Sequence, residues 1–77
     1  MDTLPKVVAI DFDGTLVSDE FPEIGEKNLH MFNICKMLQA HGVKLILWTS
    51  RDNENLSAAI EYCKGEGLYF VGSVRCV

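Results

Sequence analysis

Apolar and mixed segments alternate along the chain and predict five elements of secondary structure. Lys6 to Asp11 encloses an uninterrupted apolar run, which is typical of a strand buried on both faces of a parallel sheet. Glu26 to His41 carries its apolar residues at helical spacing, and Lys44 to Trp48 predicts a second strand. A second helix is predicted after Asp52 as its capping residue, and Leu68 to Val71 predicts a short third strand.

The buried faces of both predicted helices follow from the spacing of their apolar side chains. The first stripe stops before Gly42, a residue that commonly ends a helix. Phe12 to Gly25 is predicted to be a loop because glycine and proline interrupt it, and Gly72 to Val77 carries little pattern. We also expect the rings of Phe32 and Trp48 to lie in the core. The two stripes are Met31, Ile34, Cys35 and Leu38 in the first helix, and Leu56, Ala59, Ile60 and Cys63 in the second.

The alternation of strands and helices predicts one α/β domain over residues 1–77, with a short parallel sheet of about three strands and two helices. Its connections should be right-handed crossovers. In such sheets, ligands bind beyond the carboxyl ends of the strands. The polar segments that begin at Asp11 and at Thr49 both fall at such ends, so we expect the functional site there.

Composition excludes several classes of protein. A net charge of −4 gives no basic surface for nucleic acid, and every apolar run is far shorter than the roughly 20 residues of a membrane span. The first residues show no secretory signal pattern. Three cysteines without Cys-x-x-Cys spacing argue against a disulfide framework or a zinc site. Cys35 and Cys63 fit core positions and Cys76 lies near the end, so a reducing cytoplasm is the expected location.

The segment Asp11-Phe12-Asp13-Gly14-Thr15-Leu16 carries the clearest chemistry. Residues i and i+2 of an extended chain point the same way, so Asp11 and Asp13 should face one small volume. Two carboxylates this close suit a hard cation such as Mg²⁺, with one free to attack and one able to move a proton. The alternative is an Asp-Gly hairpin turn, but the polar, proline-containing stretch that follows does not continue as a strand.

A second polar segment, Thr49-Ser50-Arg51, follows the second predicted strand. Its hydroxyls can donate hydrogen bonds to a phosphate oxygen, helped by amides of the turn. The alternative is that Thr49 and Ser50 only cap the following helix. For Arg51, the alternative is an ion pair with Asp52 or Glu54 on a solvated face.

Together the two segments resemble the first and second motifs of the haloacid dehalogenase (HAD) superfamily of phosphohydrolases. The resemblance covers about residues 6 to 71 and implies part of a three-layer, Rossmann-like core. It implies that Asp11 is the nucleophile and forms an aspartyl-phosphate, that Asp13 moves the proton, and that both help to hold Mg²⁺. Thr49, with Ser50 and Arg51, would bind the phosphate. The short spacing between the motifs implies a member without a large cap, acting on a small phosphate ester or on a phosphate of a larger molecule.

Two parts of the family pattern are missing. Neither Lys64 nor Arg75 matches the cation of the third motif, and no acidic residue follows Glu66 to supply the fourth. These gaps leave open a non-catalytic metal- or phosphate-binding domain that works with a partner chain. A phospho-receiver domain is a weaker alternative, because the second strand ends in hydroxyls rather than in an aspartate. The resemblance also implies that the first strand lacks neighbours on one side, which predicts a homo-oligomer or a complementing chain.

Overall fold

A computed structural model describes residues 3 to 76 and gives the protein an α/β fold. Within these residues the three strands form one parallel sheet in the order β1-β2-β3, and a helix connects each strand to the next. The predicted class, with three parallel strands and two helices, is confirmed. Neither helix is long and apolar enough to cross a membrane. The elements are β1 (Val7–Asp11), α1 (Leu29–Ala40), β2 (Lys44–Thr49), α2 (Asn53–Gly65) and β3 (Phe70–Arg75).

Helix α1 begins three residues later than the apolar spacing predicts. Asn28 is the N-cap, and its side-chain oxygen accepts the backbone N–H of Met31 at 3.2 Å. The two residues before it belong to the preceding loop, since Glu26 exchanges hydrogen bonds with Ser18 and Lys27 forms a bridge with Val17. The backbone groups of Glu26 and Lys27 therefore bond within the loop, and the helix begins after them.

Helix α2 begins after Asp52, as predicted, but the side chain of this residue does not cap it. Asp52 occupies the N-cap position and makes no capping hydrogen bond. Its carboxylate instead accepts from the guanidinium of Arg75 at 3.3 Å. The sequence therefore gives the start of the helix correctly, while the expected reason for that start is wrong.

Both helices cover the same face of the sheet. Leu45, Leu47 and Thr49 alternate with more exposed residues along β2, and their side chains point into the covered face. Phe32 of α1 meets Tyr62 of α2 edge to face, with ring centroids 6.2 Å apart, so the helices are neighbours. The described residues thus form two of the three layers that the resemblance implies. The core between them contains Ile10, Phe12, Leu16, Val17, Phe32, Cys35, Val43, Leu45, Leu47, Ala59, Cys63 and Leu68.

The other face of the sheet is open. Val7 is 50% exposed and Trp48 is 45% exposed. The predictions that β1 is buried on both faces and that Trp48 lies in the core are therefore wrong for this chain. A continuous apolar sequence is typical of a strand that has helices packed on both faces of its sheet. Here the helices pack on one face only, so the other face of the strand stays exposed.

Strand β3 runs from Phe70 to Arg75, later and longer than the predicted Leu68 to Val71. A register irregularity between Leu45 and Ile46 separates its first pair from the remainder of the ladder. Most side chains of β3 are exposed, so burial imposes no alternation that the sequence could display. Backbone pairing with β2 alone defines this strand.

We predict that Gly25→Ala destabilises the fold by about 1–3 kcal/mol, because an added methyl group must displace its neighbours. A Cβ at Gly25 would collide with the carbonyl oxygen and hydroxyl of Ser18. The matched control is Gly65→Ala in the last turn of α2, where the added methyl meets nothing within 4 Å and should stabilise by about 0.5–1 kcal/mol. Urea unfolding of both variants measures the difference, and equal midpoints would contradict the close approach.

We predict that the protein self-associates or aggregates through β1. This strand is the edge of the sheet, and its interior has no Lys or Pro to block pairing with another strand. Sedimentation over a range of concentrations should show a mass that rises with concentration. Ala9→Lys, within β1, should reduce this rise, whereas Leu29→Lys on the exposed start of α1 should not. A wild-type monomer at every concentration would refute the prediction.

Candidate functional site

A pocket of about 350 Å³ lies at the carboxyl end of the sheet, where sequence analysis places the site. Asp11 and Thr49 are the last residues of β1 and β2, and Cys76 follows β3. A hollow of about 410 Å³ at the opposite end, around Lys6 and Lys44, has no carboxylate in its lining. The pocket at the carboxyl end is lined by Asp11, Asp13, Asp19, Phe21, Thr49, Ser50 and Cys76.

Asp11 is half-buried at the point where β1 gives way to a tight turn. Gly14 has a φ of +88°, a conformation that glycine adopts without strain. The carbonyl of Phe12 accepts hydrogen bonds from the backbone amides of residues 15, 16 and 17. The hydroxyl of Thr15 donates to Oδ2 of Asp11 over a long 3.4 Å. The chain therefore turns at Gly14, within the segment predicted to be a loop, and the Asp11 carboxylate keeps one long hydrogen bond.

Asp13 lines the same pocket, but both of its oxygens are bonded to Arg51. The Nε–H of Arg51 donates to one oxygen and an Nη2–H donates to the other, each at 2.8 Å. This is the parallel, two-bond arrangement that makes arginine–carboxylate pairs strong and well oriented. Asp11 and Asp13 thus meet in one pocket with very different surroundings.

Arg51 is 2% exposed, so its interpretation as a solvated partner of Asp52 or Glu54 is wrong. The hydrogen bond to Asp13, reinforced by its charge, raises the pKa of the guanidinium, although burial acts in the opposite direction. The guanidinium therefore stays charged, and its two bonds to Asp13 hold it in a buried position next to the pocket. Its nitrogen atoms are absent from the pocket lining, where the resemblance would put a phosphate ligand.

Thr49 is the last residue of β2, and Ser50 begins the turn that follows this strand. Thr49 is 3% exposed, and its Oγ1 accepts the backbone N–H of Arg51 at 3.0 Å. A hydroxyl that accepts in this way keeps its own proton for another acceptor. The helix-cap alternative for Thr49 is wrong, because the N-cap position of α2 belongs to Asp52. Ser50 is exposed and lines the pocket beside it.

Three lining residues were not predicted from the sequence. Asp19 and Phe21 belong to the predicted loop after β1, and both are exposed side chains that line the pocket. Cys76 reaches the pocket because its backbone N–H donates to the carbonyl of Thr49 at 2.9 Å. No residue pattern marks these positions, since each is placed by a loop or by strand pairing that is distant in sequence.

The pocket offers oxygen atoms of the type that bind a magnesium ion. Carboxylate oxygens and backbone carbonyls are the hard ligands that Mg²⁺ prefers, and Asp11 offers such a group with little competition. The carbonyl of Asp13 takes no part in the hydrogen bonds described for its loop. Among residues 3 to 76, no three His, Cys, Asp or Glu side chains are grouped closely enough to hold a metal. Mg²⁺ sites commonly use one or two carboxylates and complete their shell with water and phosphate.

The cysteine thiols within the described residues are free. Cys35 and Cys63 are buried in the core, as predicted. Burial, with smaller contributions from the nearby Cys35 and Glu66, raises the pKa of Cys63 to about 12. A thiol with so high a pKa is almost entirely protonated near neutral pH, so both residues act as small apolar side chains.

Comparison with known proteins gives one informative likeness. No family model matches the chain, and no curated protein matches it. A solved structure of a conserved protein coded by a locus of Bacteroides thetaiotaomicron is 42% identical, with a TM-score of 0.83. The match covers 87% of this chain and 55% of that one, so this chain spans about half the length of its structural neighbour. The likeness supports the fold and names no activity.

We predict that Mg²⁺ binds weakly at Asp11, because only one carboxylate of the motif is free of a charged partner. Titration of Mg²⁺ should shift the backbone amide NMR signals of residues 11 to 15 in the wild type and not in Asp11→Asn. Asp52→Asn, which removes an exposed carboxylate outside the pocket, should respond as the wild type does. The same response in all three proteins would exclude the site.

Proposed function

We propose that the protein is a Mg²⁺-dependent phosphohydrolase of the HAD type that acts through an aspartyl-phosphate on Asp11. The observation that carries this proposal is the pocket itself, which combines Asp11 and Asp13 with Thr49 and Ser50 at the carboxyl ends of β1 and β2. These are the residues of both motifs on which the resemblance rests. The active-site architecture thus supports the chemistry that the sequence suggests.

Asp11 has the properties of a nucleophile. It is half-buried, lines the pocket and makes one long hydrogen bond, so a carboxylate oxygen is available to attack phosphorus. In the first step that oxygen forms a bond to phosphorus while the bond to the ester oxygen breaks, and the leaving group departs with the electron pair. In the second step water attacks the phosphorus, releasing phosphate and restoring Asp11.

The remaining pocket residues orient and bind. The hydroxyl protons of Thr49 and Ser50 can be donated to phosphoryl oxygens. Each oxygen of Asp13 keeps a second lone pair beside its bond from Arg51, so in this mechanism Asp13 gives a proton to the leaving oxygen and regains one from the attacking water. Asp11 and the backbone carbonyl of Asp13 would hold Mg²⁺. When bound, Mg²⁺ neutralises negative charge on the phosphoryl group.

The substrate is a small phosphate ester or a phosphate carried on a larger molecule, because the loop between β1 and α1 is too short to form a large cap over the pocket. We place this activity in a reducing cytoplasm, which agrees with the free thiols. Partners are expected to be a second copy or a complementing chain rather than nucleic acid or membrane.

One observation favours a second candidate, a non-catalytic metal- or phosphate-binding domain that works with a partner chain. Both oxygens of Asp13 are occupied by Arg51, and Arg75, which is paired with Thr49 in the sheet, forms an ion pair with Asp52. Lys64 lies in the last turn of α2, away from the carboxyl end of the sheet, and pairs with Glu61. A domain of this kind would bind phosphate with Mg²⁺ and release no product from a phosphate ester.

We predict slow, Mg²⁺-dependent hydrolysis of an aryl phosphate that is abolished by Asp11→Asn. Losing one electrostatic contact to the transition state typically costs about 10²–10³ in rate, and the third-motif cation is missing here. Release of inorganic phosphate measures turnover, and Asp52→Asn serves as the matched control that should keep the wild-type rate. Full activity in Asp11→Asn would reject the nucleophile, while phosphate binding without turnover would favour the second candidate.

A further inference from the structure

The guanidinium of Arg51 has a protein acceptor for each of its five N–H groups. Two bonds reach the oxygens of Asp13, and two reach the carbonyls of Pro22 and Glu23 at 3.1 and 2.8 Å. A longer bond of 3.5 Å reaches the carbonyl of Asn55. Since an arginine side chain has five such donors, none remains for a phosphate.

Two aromatic rings also contact the same guanidinium. Its central carbon lies 5.0 Å from the ring centroid of Phe12 and 5.1 Å from that of Phe21. Both distances are within the range of cation–π attraction. Phe12 is fully buried, whereas Phe21 is 54% exposed and lines the pocket, so Arg51 connects the core to the rim.

Resting on the proposed function, we propose that Arg51 is a positioning residue of this pocket and does not bind the phosphate. It holds the Asp13 carboxylate in one orientation and ties the loop at residues 21–23 to the turn after β2. The phosphate is then left to Thr49, Ser50 and the ion at Asp11. This assignment differs from the phosphate-binding role that the resemblance implies for Arg51.

The arrangement explains why the side chain must be arginine. Lysine carries the same charge, but its single ammonium group cannot bond both oxygens of Asp13 in parallel and also reach the carbonyls of Pro22 and Glu23. A misplacement of about 1 Å in a catalytic group can cost about 10²-fold in rate. We therefore expect Arg51→Lys to lower kcat by about 10²-fold while KM changes less than twofold.

The wild-type protein provides a direct test that needs no substitution. With Mg²⁺ present, inorganic phosphate is titrated while the Arg51 Nε–H signal and the amide signals of residues 49 and 50 are followed by NMR. The proposal expects a slowly exchanging Nε–H that is retained at saturating phosphate, while the amide signals shift. An Nε–H that exchanges freely with water, or loses its protection as phosphate binds, overturns it.

Variants separate positioning from phosphate binding. Arg51→Lys and Arg51→Gln should both bind inorganic phosphate within twofold of the wild type, and lysine should not rescue turnover. If Arg51 contacted phosphate, Arg51→Gln would weaken binding about tenfold and Arg51→Lys would restore it. Arg75→Gln is the matched control, because it removes an exposed arginine from an ion pair outside the pocket. Amide spectra confirm that each variant is folded before it is compared.

Failure of this proposal and failure of the proposed function give different results. A wild-type protein that binds phosphate, keeps its protected Arg51 Nε–H and shows no turnover retains the positioning role and loses the enzymatic one. Turnover with normal kcat in Arg51→Lys leaves the enzyme intact and removes the positioning role.

Discussion

The buried ion pair between Arg51 and Asp13 connects the parts of the chain that build the pocket. Asp13 belongs to the turn after β1, and Arg51 belongs to the connection between β2 and α2. Arg51 also donates to the carbonyls of Pro22 and Glu23, which connects the middle of the loop between β1 and α1 to the same ion pair. Removing one partner of a buried pair typically costs about 3–5 kcal/mol, because the other charge is left without compensation. The geometry of the pocket therefore depends on this contact.

The pair also sets the electrostatics of the pocket. Asp11, Asp13 and Asp19 give the lining of the pocket three carboxylates, which makes it acidic. Arg51 offsets the charge of Asp13 and is itself buried, so it does this without being part of the pocket lining. Of the two carboxylates in the first motif, that of Asp11 keeps the weaker protein contacts, which suits both a nucleophile and a ligand for a cation.

The pocket is supported by a small and one-sided core. Two helices cover one face of the sheet, while the other face and the β1 edge keep apolar side chains in contact with solvent. A chain of 77 residues buries a modest share of its surface and has little stability in reserve. The start of the loop contributes Phe12, Leu16 and Val17 to this core, but residues 18 to 23 are exposed. The bonds from Arg51 to the carbonyls of Pro22 and Glu23 hold this exposed part in place.

The sequence by itself determined the α/β class, the approximate elements and the end of the sheet that carries the polar motifs. Apolar runs and helical spacing reflect local geometry, so they identified β1, β2 and both buried stripes. Only the tertiary structure decided that Trp48 is exposed, that β3 continues to Arg75, and that Asp19, Phe21 and Cys76 reach the pocket. It also decided the partner of Arg51, which lies 38 positions away in sequence. Contacts over such separations depend on how loops return to the sheet, and no periodic pattern of side chains records that path.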